Sequence, residues 1–241
     1  AGSPISSVPS RAPRRARVGR RLDFTGELLL FWARGGMCQR PGCSARLAAD
    51  RGGVPADRLA VVPNAPRVDE FGRFATGVTP PTDAFRVGYL GVMGSQDGVE
   101  VLVDALGLLH RRIGRRLEAH LVGDGELRPA LERRAAGLGL EGVIRFHGYQ
   151  SPQAFVPLLA SCPLCVSPAP PTPFNDLSTM TKVVEYLAIG RPVVAFDLAE
   201  TRRLIGDAGH IVGRATADDL ASALEDLAAD RPRLAELATA A

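Results

Sequence analysis

From residue 85 onward the chain alternates short apolar runs with amphipathic stretches, and this rhythm limits its fold more than any other feature. "FRVGYLG" reads as a strand ending in glycine, and "DGVEVLVDALGLLHRRI" as a helix with Val99, Leu102, Val103, Leu106 and Leu109 on one stripe. "EAHLVGDG" is a strand and a glycine turn, and "ELRPALERRAAGLGL" a helix that tolerates Pro129 in its first turn. "GVIRFHG", "PLCVSP", "RPVVAFD" and "HIVG" continue the strands. Between and after them lie a helix capped by Ser151, a helix closed by Gly190, a short helix in "AETRRLIGDAG" and a last helix capped by Thr216. Six strands alternate with helices, each strand apolar throughout, as parallel strands covered on both faces are. The pattern predicts an α/β fold: a doubly wound parallel six-stranded sheet, Rossmann-like. Ligands of such sheets bind where strands run into helices, here at "GVMGSQDG", "GDGE", "HGYQSP", "SPAPPTPFNDLSTM" and "FDLAE".

Upstream, "SARLAADRGGVPADRLAVVPNAPRVDEF" reads as a helix, a turn, a strand and an exit loop, so residues 45–84 are taken as a linker region before the domain at 85–241. Residues 1–44 show no period of either kind and are read as a disordered or remnant segment. Within them, residues 11–21 carry arginines that no acid offsets, which suits a disordered arm or a contact with an anionic surface. The net charge of +3 is too small to imply nucleic acid. No run of about 18 apolar residues exists to span a membrane. Four cysteines fall in "CQRPGC" and "CPLC"; such spacings raise zinc, but Cys162 and Cys165 sit where small buried thiols fit.

Lys182 is the only lysine among 29 basic residues, the rest being arginine. On a helical wheel of about 100° per residue, Met180, Val183, Val184 and Leu187 fall on one side and Ser178, Thr181, Lys182 and Glu185 on the other. A helix N-terminus at a strand's carboxyl end offers free amides and a positive dipole end to phosphate. Lys182, one turn in, can reach the same phosphate as a compact charge, and Glu185, one turn further, can accept two hydrogen bonds from a diol such as a ribose. The plainer reading is a solvated helix face with a Lys182–Glu185 pair three residues apart. The surrounding glycines (Gly88, Gly91, Gly94 and Gly98, then Gly123 and Gly125) let a ligand approach the backbone. A G-x-G-x-x-G fingerprint is absent, which argues against a nicotinamide enzyme. His147 reads as structural rather than catalytic.

The order "VVPNAPRVDEF", "VGYLGVMGSQDGVEVLVDAL", "HLVGDGELRPALERRAAGLGL", "VIRFHGY", "SPAPPTPFNDLSTMTKVVEYLAIGRPVVAFD" and "GDAGHIV" resembles the donor-binding half of GT-B fold glycosyltransferases, over residues 45–229. It is most similar to the retaining family-four type that builds bacterial surface polysaccharides and glycolipids. The resemblance implies transfer of a hexose-type sugar from a nucleoside diphosphate sugar to an acceptor hydroxyl, with no metal or other cofactor. It implies that Glu185 holds the donor ribose, and that Lys182 with the amides near Ser178, Thr179 and Met180 grips the diphosphate. It places Gly94, Gln96 and Asp97 in the glycine loop by the phosphates, and Gly123, Asp124, Gly125, Gly148 and Tyr149 around the base. The acid that such enzymes often carry eight residues before the ribose glutamate is replaced by Leu177, with Asp176 beside it as a substitute; Lys182 and Asp176 are the expected catalytic pair. The basic residues common in the first glycine loop are also absent.

The implied partners are a nucleotide sugar and a glycan or glycolipid acceptor, with at most peripheral membrane contact and a cytoplasmic setting. GT-B enzymes place a second domain opposite the donor domain, and about 44 residues precede the resemblance, so a truncated chain is expected, inactive alone. The alternatives are a non-catalytic remnant or partner subunit, or an enzyme like the nucleotide-sugar 2-epimerases.

Overall fold

The computed structural model describes residues 65–113, 116–176 and 178–241, together with Pro55 and Asp57. The arginine run at 11–21, Cys38, Cys43, and the helix and strand expected before residue 65 lie outside the described residues.

The described chain runs α1 (Val68–Ala75), β1 (Ala84–Leu90), α2 (Val99–Arg112), β2 (Arg116–Val122), α3 (Arg128–Gly137), β3 (Ile144–Gly148) and α4 (Pro152–Ala160). It continues through β4 (Leu164–Ser167), α5 (Pro173–Asp176), α6 (Thr181–Ala188), β5 (Val193–Phe196), α7 (Ala199–Ile205), β6 (Gly209–Val212), α8 (Ala217–Ala229) and α9 (Arg231–Ala240). The six strands form one sheet in the order β3-β2-β1-β4-β5-β6, all paired in parallel. Strand order reverses between β1 and β4, and in this topology ligands usually bind outside the carboxyl ends of the two strands at such a reversal.

Period-two alternation splits the core into two layers, because successive strand residues face opposite sides of the sheet. Val87, Tyr89, Leu117, Ala119, Leu121 and Val166 face one layer, closed by the apolar stripes of α2, α3, α8 and α9. Val122, Cys165, Val193 and Ala195 face the other, closed by α1, α4, α6 and α7. All five stripe residues expected on α2 are fully buried. Each such side chain contributes about 1.5–3 kcal/mol of transfer free energy.

Boundary chemistry behaves locally. Thr216 caps α8, its hydroxyl accepting from the Asp219 amide, and Gly190 follows α6 with a φ of 65°. Ser151 occupies the N-cap of α4 without a side-chain cap bond.

Three elements depart from the sequence expectation. Residues read as an exit loop form α1, whose Phe71 stacks edge-on against Phe155 of α4 at 5.7 Å. The long proline-rich segment contains the single turn α5. Beyond the expected last helix, α9 returns Leu234 and Leu237 to the first layer, and Arg231 donates to the Thr82 carbonyl. Proline near the start of α9 and two buried leucines were the available signals; with only two apolar contacts, its period is faint.

Candidate nucleotide-sugar site

Lys182 stands on the first turn of α6, at the β1–β4 reversal of strand order. It is 7% exposed. Its Nζ donates to Asp97 Oδ1 at 2.9 Å and to the Tyr89 hydroxyl at 3.3 Å, and lies 4.9 Å from the centre of the Tyr89 ring. The Tyr89 hydroxyl in turn donates to the Val92 carbonyl, which leaves its lone pairs to receive the ammonium. Two of the three ammonium hydrogens are thus assigned, and the third has no partner among the described residues.

The helical wheel set Lys182 opposite the buried stripe, and here the structure corrects it. The buried residues of α6 are Lys182, Val183 and Tyr186. The slot that admits the lysine is made by Gly91, where an added Cβ would stand 2.9 Å from Lys182 Cε and 3.0 Å from Nζ. One turn on, the Tyr186 hydroxyl accepts from the Leu90 amide at 2.7 Å, pinning α6 to the end of β1. Burial lowers the Lys182 pKa, and Asp97 opposes that by favouring the charged form. The ion pair formed is therefore Lys182–Asp97, not the Lys182–Glu185 pair of a solvated helix face.

Glu185 is half-buried, and no hydrogen bond to its carboxylate is found among the described residues. Burial raises its pKa to about 7, against the pull of Lys182. A carboxyl poised near neutrality without a protein partner can accept hydrogen bonds from a ligand diol.

The segment before α6 is more ordered by its own contacts than a free helix end would be. The helix begins at Thr181, with Met180 at its N-cap, rather than near Ser178. The Ser178 amide already donates to the Asn175 carbonyl, and its hydroxyl to the Phe174 carbonyl, so its amide is not free for phosphate. Thr179 and Met180 lead directly into the helix. Asp176 accepts the Ala199 amide through Oδ1, tying α5 to the start of α7.

The glycine loops are stitched to one another. Met93 donates to the Asp124 carbonyl, Leu127 to the Met93 carbonyl, and Gly123 to the Gly148 carbonyl. A Cβ at Gly123, whose φ is 128°, would lie 1.9 Å from the Gly91 carbonyl oxygen, and one at Gly125 would lie 2.5 Å from that of Met93. At these two positions glycine serves close approach of one loop to the next. Gly94 is different: a Cβ there would meet only Asp97 Oδ2 at 3.3 Å and Val92 at 3.7 Å. Asp124 is engaged by its own loop, receiving the Gly125 amide and Arg128 at 3.2 Å. Gly148, with a φ of 68°, turns β3 into the loop that presents Tyr149, which is 85% exposed.

The structure brings together Lys182, Asp97 and Tyr89, and fastens the neighbouring Gln96 to Asn175. The fully buried Asn175 is the clasp: its amide donates to the carbonyls of Gln96 and Pro170 at 2.9 Å each. Sequence reading passed over Tyr89 and Tyr186, because an aromatic hydroxyl in an apolar run looks like ordinary core, and over Asn175, because its two carbonyl partners are backbone groups at residues 96 and 170. Gly123, Asp124, Gly125, Gly148 and Tyr149 form a separate group at the ends of β2 and β3.

A second polar pair lies on the strands. His120 Nδ1 and His147 Nε2 are 3.0 Å apart, and His120 Nε2 is buried with no partner among the described residues. Burial, with His147 and Arg86 nearby, lowers the His120 pKa to about 4, and burial with Arg145 lowers that of His147. Cys162 and Cys165 are buried free thiols, and burial pushes Cys162 up to about 12. No cluster of three or more His, Cys, Asp or Glu with metal-holding geometry occurs among the described residues.

With this geometry in hand, the comparison with known families is decisive: the family model for glycosyl transferases group 1 matches residues 84–230. The chain belongs to that family. It is 32% identical over 153 residues to alpha-D-kanosaminyltransferase of Streptomyces kanamyceticus, covering 61% of this chain and 38% of that protein. It is 30% identical over 161 residues to the lipopolysaccharide core biosynthesis glycosyltransferase LpsE of Rhizobium meliloti, covering 65% and 44%. The chain thus spans well under half the length of these relatives. Among solved structures, Anabaena Alr3699/HepE in complex with UDP and glucose superposes with a TM-score of 0.62 at 24% identity, over 83% of this chain and 55% of that one. A glycosyltransferase of Rickettsia africae superposes with a TM-score of 0.65 at 18% identity, over 83% and 55%. These likenesses show a shared fold, the doubly wound parallel sheet with helices on both faces. Among the described residues no helix is long and apolar enough to cross a membrane.

Proposed function

We propose that this chain is the donor-binding half of a retaining glycosyltransferase that moves a hexose-type sugar from a nucleoside diphosphate sugar to an acceptor hydroxyl of a glycan or glycolipid. The observation that carries the reading is the sole lysine, held at the strand-order reversal with one ammonium hydrogen unassigned, one turn before the carboxyl of Glu185. Phosphate followed by ribose along one helix face matches a nucleoside diphosphate. Support comes from the family match and from neighbours whose complexes contain UDP or UDP-glucose.

In this reading Lys182 and the amides at 179–181 receive the diphosphate, and Glu185 receives the ribose hydroxyls. The Gly94–Gln96–Asp97 loop flanks the phosphates, and the loops bearing Gly123, Asp124, Gly125, Gly148 and Tyr149 frame the base. In the same reading the Asp176 carboxylate serves the donor sugar. The bond from the anomeric carbon to the diphosphate oxygen breaks as one to the acceptor oxygen forms, and the acceptor proton leaves with the departing phosphate. Lys182 stabilises the charge that develops on the leaving group, so this reading calls for no metal. The acceptor would sit opposite the donor face, and the enzyme would work in the cytoplasm or at the inner membrane surface.

Calorimetry of the folded chain with UDP, GDP, ADP and their sugars tests the reading. Binding of one nucleotide series is expected, with Lys182→Ala weakening it by about 1–3 kcal/mol through loss of a charged hydrogen bond. A folded chain that takes up none of them overturns it.

A further inference from the structure

Resting on that reading of the site, we infer that Asp97 is a built-in counter-ion that competes with the donor diphosphate for Lys182 and sets how tightly the site holds an anion. The chain without ligand already satisfies the charge that a phosphate would meet. Asp97 Oδ1 is 2.9 Å from Nζ, and both side chains are largely buried, at 13% and 8% exposure. A buried pair of unit charges presents almost no net field to an incoming anion, whereas a lone ammonium in the same slot attracts it strongly.

The pair is also incompletely satisfied on the acid side. Asp97 Oδ2 is buried and has no hydrogen-bond partner among the described residues. Among the described residues Lys182 supplies the ion pair of Asp97 and no other hydrogen bond to its carboxylate is found. Asp97 rides on the loop between Gly94 and Gly98, and its amide donates to the Gly94 carbonyl. Next to Asp97 the loop is clasped to the 170–175 segment through Asn175 and the Gln96 carbonyl. Because the clasp is made through the Gln96 backbone, rotation of the Asp97 side chain would take the carboxylate off the ammonium without unfastening the loop. A side chain at Gly94 would crowd that carboxylate, since an added Cβ would stand 3.3 Å from Asp97 Oδ2. The ligand this arrangement discriminates is any polyanion with a phosphate reaching Nζ; the nucleoside adds recognition elsewhere.

The near-isosteric Asp97→Asn keeps an acceptor for the ammonium and removes the competing charge. In the full chain, it is expected to bind inorganic pyrophosphate and the cognate nucleoside diphosphate about 3–10-fold more tightly than the unaltered chain, and the gain should vanish when Lys182→Gln is added. Because Lys182 is the only lysine, selective nitrogen-15 lysine labelling yields a single side-chain ammonium resonance. In the unaltered chain that resonance should shift on saturation with either anion, a readout independent of whether the variant folds.

Nucleotide affinity unchanged or weakened in a folded Asp97→Asn chain overturns the counter-ion role and leaves the nucleotide reading standing. Pyrophosphate bound more tightly by the variant, with nucleotides no better than pyrophosphate, upholds the counter-ion and removes the nucleotide reading. An ammonium resonance that stays put while ligand saturates, or a folded variant that binds neither anion, overturns the inference.

Discussion

Two polar pairs of this domain, Lys182–Asp97 and His120–His147, differ in a way that separates a site from scaffolding. Lys182–Asp97 joins opposite charges from a helix and a loop at the strand-order reversal, and keeps one ammonium hydrogen and one carboxylate oxygen unassigned. His120–His147 joins two like groups from adjacent strands that can share only one proton, with burial holding His120 neutral at physiological pH. Beside it Glu118 is neutralised by Arg86 at 2.7 Å and Arg116 at 2.6 Å. The first pair is charged and incomplete, with the lysine on the first turn of a helix and the acid on the loop after β1. The second is neutral and fixed by ladder hydrogen bonds on both strands. A ligand anion can replace the acid partner in the former, whereas the latter offers no charge for an anion to exchange.

The sharpest way to break the contrast is to remove one member of the charged pair. Lys182→Met should cost about 3–5 kcal/mol in denaturant unfolding, because Asp97 is left buried and uncompensated, and adding Asp97→Asn should restore more than half of it. If Lys182→Met proves neutral, the pair is far better hydrated than its burial indicates.

The histidine pair should show itself through pH. His120 takes up a proton near 6.5 when unfolded but only near 4 when folded, so the unfolded chain binds more protons across that window. Stability therefore falls as pH drops from about 6.5 to about 4, by roughly 1–2 kcal/mol once solvent screening is discounted. Thermal unfolding of the unaltered chain and of His120→Leu at a series of pH values checks this; the variant should lose the slope.

Glu185 opposes it. Its carboxyl is raised to about 7 in the folded chain, so there the folded state holds the extra proton, and stability falls as pH rises from about 4.5 to about 7. Glu185→Gln should remove that fall, worth on the order of 1 kcal/mol after the same discount, and should weaken nucleotide binding at pH 8. A variant both more stable above neutrality and poorer in binding would mark Glu185 as held for function.

The smallest effect should come from a position remote from both pairs. Thr216→Ala removes the α8 cap, and should cost about 0.5–1 kcal/mol with no change in anion affinity. Altered affinity there would mean the loops sense distant packing, and the local contrast drawn above would fail.

Much of this was legible in the order of residues. The six apolar runs, the α2 stripe, Thr216 and Gly190 act through neighbours a few positions away, and local periodicity records them. Glu185 and Lys182 were legible as a pair on one helix, and the motif around them carried the family. What the sequence did not carry was distance. Lys182 and Asp97 are 85 residues apart, and Tyr89 and Lys182 are 93 apart. Gly123 and Gly125 read as openings for a ligand, because nothing local reveals that the neighbouring loop's carbonyls occupy that space. The helical wheel placed Lys182 on the open side because it assumes one buried face, and Gly91 opens a slot on the other. By itself the sequence determined the layered sheet and the helix that bears the site, since periodicity and capping are short-range. Only the tertiary structure decided which acid meets the lysine and which glycines belong to the chain's own packing, since those depend on what folding brings within a few ångströms.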